Sequence, residues 1–116
     1  MGTLKGKRAL VTGSGQGLGL GIVEELLAAG ADVAIHYFSS EAGARELKQR
    51  AAKNGQRAEI LHGDLTNEKD SIELVHRGTH FLGGLDILVN NAGDLVGRRS
   101  LARLRGFDLG LDFFAS

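Results

Sequence analysis

The chain has 116 residues, one ordinary domain, with 42% hydrophobic and 24% charged residues, so it can bury a core and lacks the composition of disorder. Fourteen basic and fourteen acidic side chains cancel, which removes any global field for nucleic acid or anionic membrane, and the absence of cysteine excludes disulfides, thiolate metal sites and cysteine nucleophiles. No apolar stretch is long enough for a signal peptide or a membrane span, so the expectation is a cytoplasmic protein with neither nucleic acid nor membrane as partner.

Arg8 to Thr12 is short and apolar and runs straight into glycine, as expected of a strand buried on both faces. Ile22, Val23, Leu26 and Leu27 then recur at helical spacing, and Gly30 ends that helix. Ala31 to Ile35 reads as a second strand. Ser39 or Ser40 is placed to cap a second helix that runs through Ala44, Leu47 and Ala51 to Asn54 and Gly55. Gln56 to His62 reads as a third strand. Thr66 is placed to cap a third helix with Ile72, Val75, Thr79 and Leu82 on one face, in which Gly78 costs about 1 kcal/mol relative to alanine. Leu85 to Val89 is a fourth strand, leading into Asn-Asn-Ala-Gly. Strands separated by helices call for parallel pairing through right-handed crossovers, hence a layered α/β fold. Residues 1–93 form this unit, and 94–116, interrupted by Gly97, Gly106 and Gly110, read as an atypical tail of the same domain.

The chain contains 18 glycines and no proline. The densest glycine cluster lies between the first strand and the first helix. There, glycine permits positive φ and lets an anion approach backbone N–H groups at the positive end of a helix dipole. The Walker pattern fails for want of Gly-Lys-Ser/Thr, and the strict G-x-G-x-x-G fingerprint fails because residues 18 and 20 are leucines. Thr12, Gly13, Gly17 and Gly19 fit Thr-Gly-x-x-x-Gly-x-Gly.

With this motif at residues 12–19, Gly63-Asp64-Leu65-Thr66 after the third strand and Leu85-Asp-Ile-Leu-Val-Asn-Asn-Ala-Gly93, the sequence resembles the short-chain dehydrogenases/reductases, especially the 3-oxoacyl-carrier-protein reductase branch. The resemblance covers about the first 95 residues. It implies a Rossmann-like three-layer fold with strand order 3-2-1-4 and a cofactor, NADP or NAD. It also implies roles. Gly13, Ser14, Gln16, Gly17, Leu18 and Gly19 wrap the pyrophosphate; Asp64 and Leu65 hold the adenine edge; Tyr37 and Ser39 lie beside the adenosine ribose; Asn91, Ala92 and Gly93 pass the nicotinamide-side ribose; and Asn90 ties the central strands. The end of the second strand, His36 to Ser40, has no carboxylate to repel a 2′-phosphate, and His36 and Ser39 can donate to one. Gln16 and Phe38 occupy positions where many NADP-using relatives carry arginine, and the balance tips toward NADP.

The family's catalytic tyrosine and lysine are spaced Tyr-x-x-x-Lys. Here the only tyrosine is Tyr37 and residue 41 is Glu41, while Phe113 and Phe114 stand where the family places a helix asparagine, so no catalytic residue is assigned. The expectation is a family member truncated before its catalytic half and inactive alone, the truncation being natural, engineered or a reading-frame shift after about Ser100, where the pattern breaks. The alternative is a non-catalytic NAD(P)-binding or self-associating structural module. Strand 85–89 is expected to present an open apolar edge, so a homo-oligomer is expected through it or through the tail. His76 and His80, at i and i+4 near Glu73, read as surface histidines, and no metal is expected; Arg98, Arg99, Arg103 and Arg105 read as a solvated run offset by Asp94, Asp108 and Asp112.

Overall fold

The computed structural model describes residues 3–14, 17–39, 41–63, 68–90 and 112–115. In chain order the elements are β1 (Arg8–Thr12), α1 (Gly17–Ala28), β2 (Asp32–Tyr37), α2 (Ala42–Lys53), β3 (Ala58–His62), α3 (Glu68–Leu82), β4 (Ile87–Asn90) and β5 (Asp112–Ala115). They build one parallel sheet in the order β3-β2-β1-β4-β5. Along the first four strands this is the expected 3-2-1-4 order, and the architecture is Rossmann-like α/β.

Two-sided burial explains the near-continuous apolar runs. Ala9 and Val11 of β1 join Val33, Ile35, Ile87 and Val89 on the face covered by α1 and α2, which contribute Val23, Leu27, Ala44, Leu47 and Ala51. Leu10, Ala34, Leu61 and Leu88 point the other way, against Leu74, Val75 and Leu82 of α3. The buried face of α3 is turned slightly from the expected one: Ser71, Leu74, Val75 and Gly78 are buried, whereas Ile72 and Thr79 are half-buried. Gly78 lies on this face over Leu10 and Ala34, with room for a methyl group at ordinary contact distance.

Helix ends follow the glycines. Gly30 N–H donates to Leu27 O and Ala31 N–H to Leu26 O, and the same pair of bonds recurs from Gly55 to Ala52 and from Gln56 to Ala51. Gln56 then sends its amide to the carbonyls of Leu27 and Ala31, at 2.9 and 2.8 Å, locking the end of α1 to the start of β3.

Two expectations change. The N-cap of α2 is Glu41, not Ser39 or Ser40, and makes no side-chain cap bond. Its carboxylate is drawn instead to the Tyr37 hydroxyl and to Arg45. Nor is β4 an open edge: β5 pairs with it in parallel register, Ile87 with Asp112 through Asn90 with Ala115. An extended Asp112–Ala115 satisfies the outward backbone groups of β4, so self-association by pairing on β4 loses its premise. No helix among the described residues is long and apolar enough to cross a membrane.

Candidate functional site

In an open parallel sheet the ends of the strands, their following loops and the helix N-termini gather at the carboxyl edge. Here that edge holds the glycine turn. Gly13, directly after β1, has φ 64°, and Gly17, the first residue of α1, has φ 61°. Left-handed backbone at both ends of the turn is the reason for glycine at these positions, since a Cβ costs about 1–2 kcal/mol there. The first turn of α1 carries no acidic side chain, so its N-terminal amides face the edge without a competing carboxylate. This donor set fits an anionic group: backbone N–H groups at the positive end of a helix dipole, with glycine at both described ends of the turn.

The rest of the turn is tied down from beneath. Ser14 is fully buried; its N–H donates to His36 O at 2.8 Å, and its hydroxyl lies 2.9 Å from Val11 O and 2.8 Å from His36 O. Its side chain and its N–H are thus both engaged inward, and its part in the turn is to hold it in place. Thr12 donates its hydroxyl to Val89 O at 3.4 Å, joining β1 to β4. Gly19 is buried within α1, while Leu18 stands 67% exposed in its first turn.

His36 departs most from the sequence expectation. It is 2% exposed, and both ring nitrogens are engaged: Nδ1 accepts from Gly13 N–H at 2.9 Å and Nε2 donates to Gly63 O at 2.7 Å. It is therefore not a phosphate donor. Burial pushes its pKa below the ordinary histidine value, the bond to Gly63 opposes that in part, and the charges of His62 and Arg77 add to the fall. The clue in the sequence was parity: His36 shares a face with Ala34 in a strand covered on both sides, where a polar ring must find partners.

Beside it, the Tyr37 hydroxyl donates to Glu41 Oε1 at 3.0 Å, and its ring lies 5.1 Å from that of His62. His62 donates from Nε2 to Phe38 O at 2.9 Å and stacks on Phe38, which is 58% exposed. Ser39 is exposed at the end of this group. Tyr37, Ser39 and the glycine turn are thus brought to one edge of the sheet. Gln16, Asp64, Leu65, Asn91, Ala92 and Gly93 lie outside the described residues. On α3, His76 and His80 are exposed, and among the described residues no group of three His, Asp or Glu is placed to hold a metal.

A family profile described as short chain dehydrogenase matches residues 7–105. A hydroxynaphthalene reductase-like protein of Metarhizium guizhouense is 42% identical over 94 residues, which are 81% of this chain and 35% of that protein. A short chain dehydrogenase from Burkholderia cenocepacia, solved in complex with NADP, superposes with a TM-score of 0.75 at 35% identity, over 93% of this chain and 49% of the other. A 7α-hydroxysteroid dehydrogenase complexed with NADH and an oxo bile acid gives 0.68 at 33% identity, over 76% of this chain and 34% of the other. The chain thus spans about a third of the length of the curated relative and between a third and a half of these solved structures.

Proposed function

Because the chain belongs to the short-chain dehydrogenase/reductase family, we propose that it binds a nicotinamide dinucleotide across the carboxyl edge of its sheet, as the cofactor-binding part of an NAD(P)-dependent oxidoreductase. The observation that carries this reading is the glycine turn, left-handed at Gly13 and Gly17 and opening directly onto the N-terminus of α1. Gly13 and Ser14, whose N–H groups are held by His36, shape the turn, and the backbone of Gln16, Gly17, Leu18 and Gly19 receives the pyrophosphate. Tyr37 and Ser39 lie beside the adenosine ribose, Asp64 and Leu65 at the adenine, and Asn91, Ala92 and Gly93 at the nicotinamide-side ribose. When bound, the nicotinamide supplies or accepts the hydride.

Two features favour NADP over NAD. Ser39 is exposed at the ribose end, and the carboxylate of Glu41 is already engaged by Tyr37 and Arg45. The same contacts favour binding without turnover. Tyr37 is the only tyrosine in the sequence, has Glu41 four residues on in place of lysine, and donates its hydroxyl to that carboxylate, so it is not set to act as a general acid toward a carbonyl. Self-association is proposed through the tail, whose β5 forms the outer edge of the sheet. A concentration-independent monomer in sedimentation rejects it.

Calorimetric titration with NADP+ and NAD+ tests the reading. Binding is expected for both, tighter for NADP+, with loss of affinity in Gly17→Ala at a stability cost of about 1–2 kcal/mol. Absence of binding by the folded wild-type chain overturns it.

A further inference from the structure

Dinucleotide binding through glycine backbone leaves one buried titratable side chain among the described residues, His36, without a task. It is the last residue but one of β2, the middle of the three adjacent strands β3, β2 and β1. To one side it accepts from Gly13, where the phosphate turn begins, and to the other it donates to Gly63, where the chain leaves β3 toward Asp64 and Leu65. One imidazole thus bridges the two loops on which the pyrophosphate and the adenine are proposed to rest.

The bridge works in a single protonation state. Nδ1 must be bare to accept from Gly13 N–H, so the proton sits on Nε2 and the ring is neutral. A second proton turns Nδ1 into a donor aimed at another donor, and Gly13 must move away. The surroundings do not welcome that charge: His62 of β3 and Arg77 of α3 both oppose it, and Asp70 and Glu73 of α3 line the same small hollow as His62 and Arg77. From β1 it meets Gly13 and Ser14, which carry no charge, and Tyr37 is its neighbour in β2.

We propose that His36 is a positioning residue for the dinucleotide: its neutral Nε2–H tautomer sets the spacing of the phosphate turn and the adenine-side loop, and protonation of the ring releases that spacing and weakens binding. The proposal rests on the dinucleotide reading above. It has the opposite sign to direct phosphate contact, under which a protonated His36 tightens binding.

The test is calorimetric titration of the full chain with NAD+, which carries no phosphate titrating near neutrality, from about pH 8 to about pH 5.5. Wild type is compared with His36→Asn, whose amide oxygen takes the place of Nδ1 toward Gly13, and His36→Gln, whose amide nitrogen takes the place of Nε2 toward Gly63. In wild type, affinity is expected to be flat above the ordinary histidine value and to fall by up to about tenfold per pH unit once the ring protonates. Both variants are expected to be flat with pH, His36→Asn keeping the higher affinity because it holds the phosphate turn. Wild-type affinity that rises toward acid, or stays level through the His36 midpoint followed by NMR, or a His36→Asn variant as steep as wild type, overturns the proposal and leaves the dinucleotide reading intact. Failure of the folded wild type to bind at about pH 8 overturns both. Should the variants not fold, nitrogen-detected NMR of wild type decides: an Nε2–H tautomer whose midpoint drops further when NAD+ is added supports the role, and an unmoved midpoint refutes it.

Discussion

The two ends of the sheet are fastened by opposite chemistry. At the amino edge Arg8 grips Asp86, Nε to Oδ2 at 3.0 Å and Nη2 to Oδ1 at 3.3 Å, while its own N–H donates to Oδ2 at 2.9 Å and Nη1 donates to Gly83 O at 2.9 Å. At the carboxyl edge the fastener is the neutral ring of His36. Each joins the starts or the ends of strands far apart in sequence. The ion pair sits where no ligand is proposed to come; where an anion is to be received, the clamp carries no formal charge, and its ring takes up the Gly13 amide. An ion pair at the glycine turn would draw the same donors a pyrophosphate needs.

Perturbing the core between the two clamps should weaken both alike. Leu10, fully buried beneath α3, is the place to do so: Leu10→Ala is expected to cost about 3–5 kcal/mol in urea unfolding, with no new pH signature. His36→Leu acts on one clamp only and should cost about 2–3 kcal/mol, since Gly13 N–H and Gly63 O lose this partner inside the protein. It should also change the shape of the pH curve. The folded pKa of His36 lies below its unfolded value near 6.5, so its contribution is complete above that value and is lost as pH falls through the folded one. That decline should vanish in the variant.

Asp86→Asn breaks the other clamp at about 1 kcal/mol, small because the pair is partly exposed, though the carboxylate also holds a backbone N–H. The Arg8 guanidinium, first by hydrogen bonding, holds Asp86 below the usual carboxylate range. Its stabilisation is therefore present above about pH 4 and fades as pH falls through the lower folded value, a second and more acidic step than that of His36. The smallest effect should be a gain. A methyl at Gly78 meets Ala34 and Leu10 at 3.5 and 3.6 Å, ordinary contact, so Gly78→Ala is expected to stabilise α3 by about 0.5–1 kcal/mol, read in the same urea series.

What was legible in the sequence follows these physical lines. Arg8–Thr12 and the glycine stops at Gly30 and Gly55 could be placed because apolar runs and glycine punctuation are local signals. The order of β1 to β4 followed from the crossover rule and the family resemblance. β5 was not legible: four residues among glycines show no period, and only pairing with β4 makes them a strand. The site divides in the same way. The left-handed glycines were readable because their chemistry is backbone chemistry. His36 was read as able to donate to a phosphate and Ser39 or Ser40 as a cap, because the partners that decide each, Gly63 for the histidine and Arg45 with Tyr37 for the Glu41 that replaces the cap, lie elsewhere in the chain or compete for the same side chain.

The central place of β1 has a consequence for how the chain acquires its fold. Its two neighbours arrive at very different times. β2 follows after a single helix, as the 23-residue separation of Gly13 and His36 shows, whereas Arg8 and its β4 clamp partner Asp86 are 78 residues apart. During synthesis the most buried strand therefore waits with one side unpaired through the making of β2, α2, β3 and α3. The late insertion of β4 is expected to limit the refolding rate, and that interval is the one in which the nascent chain is most exposed to aggregation.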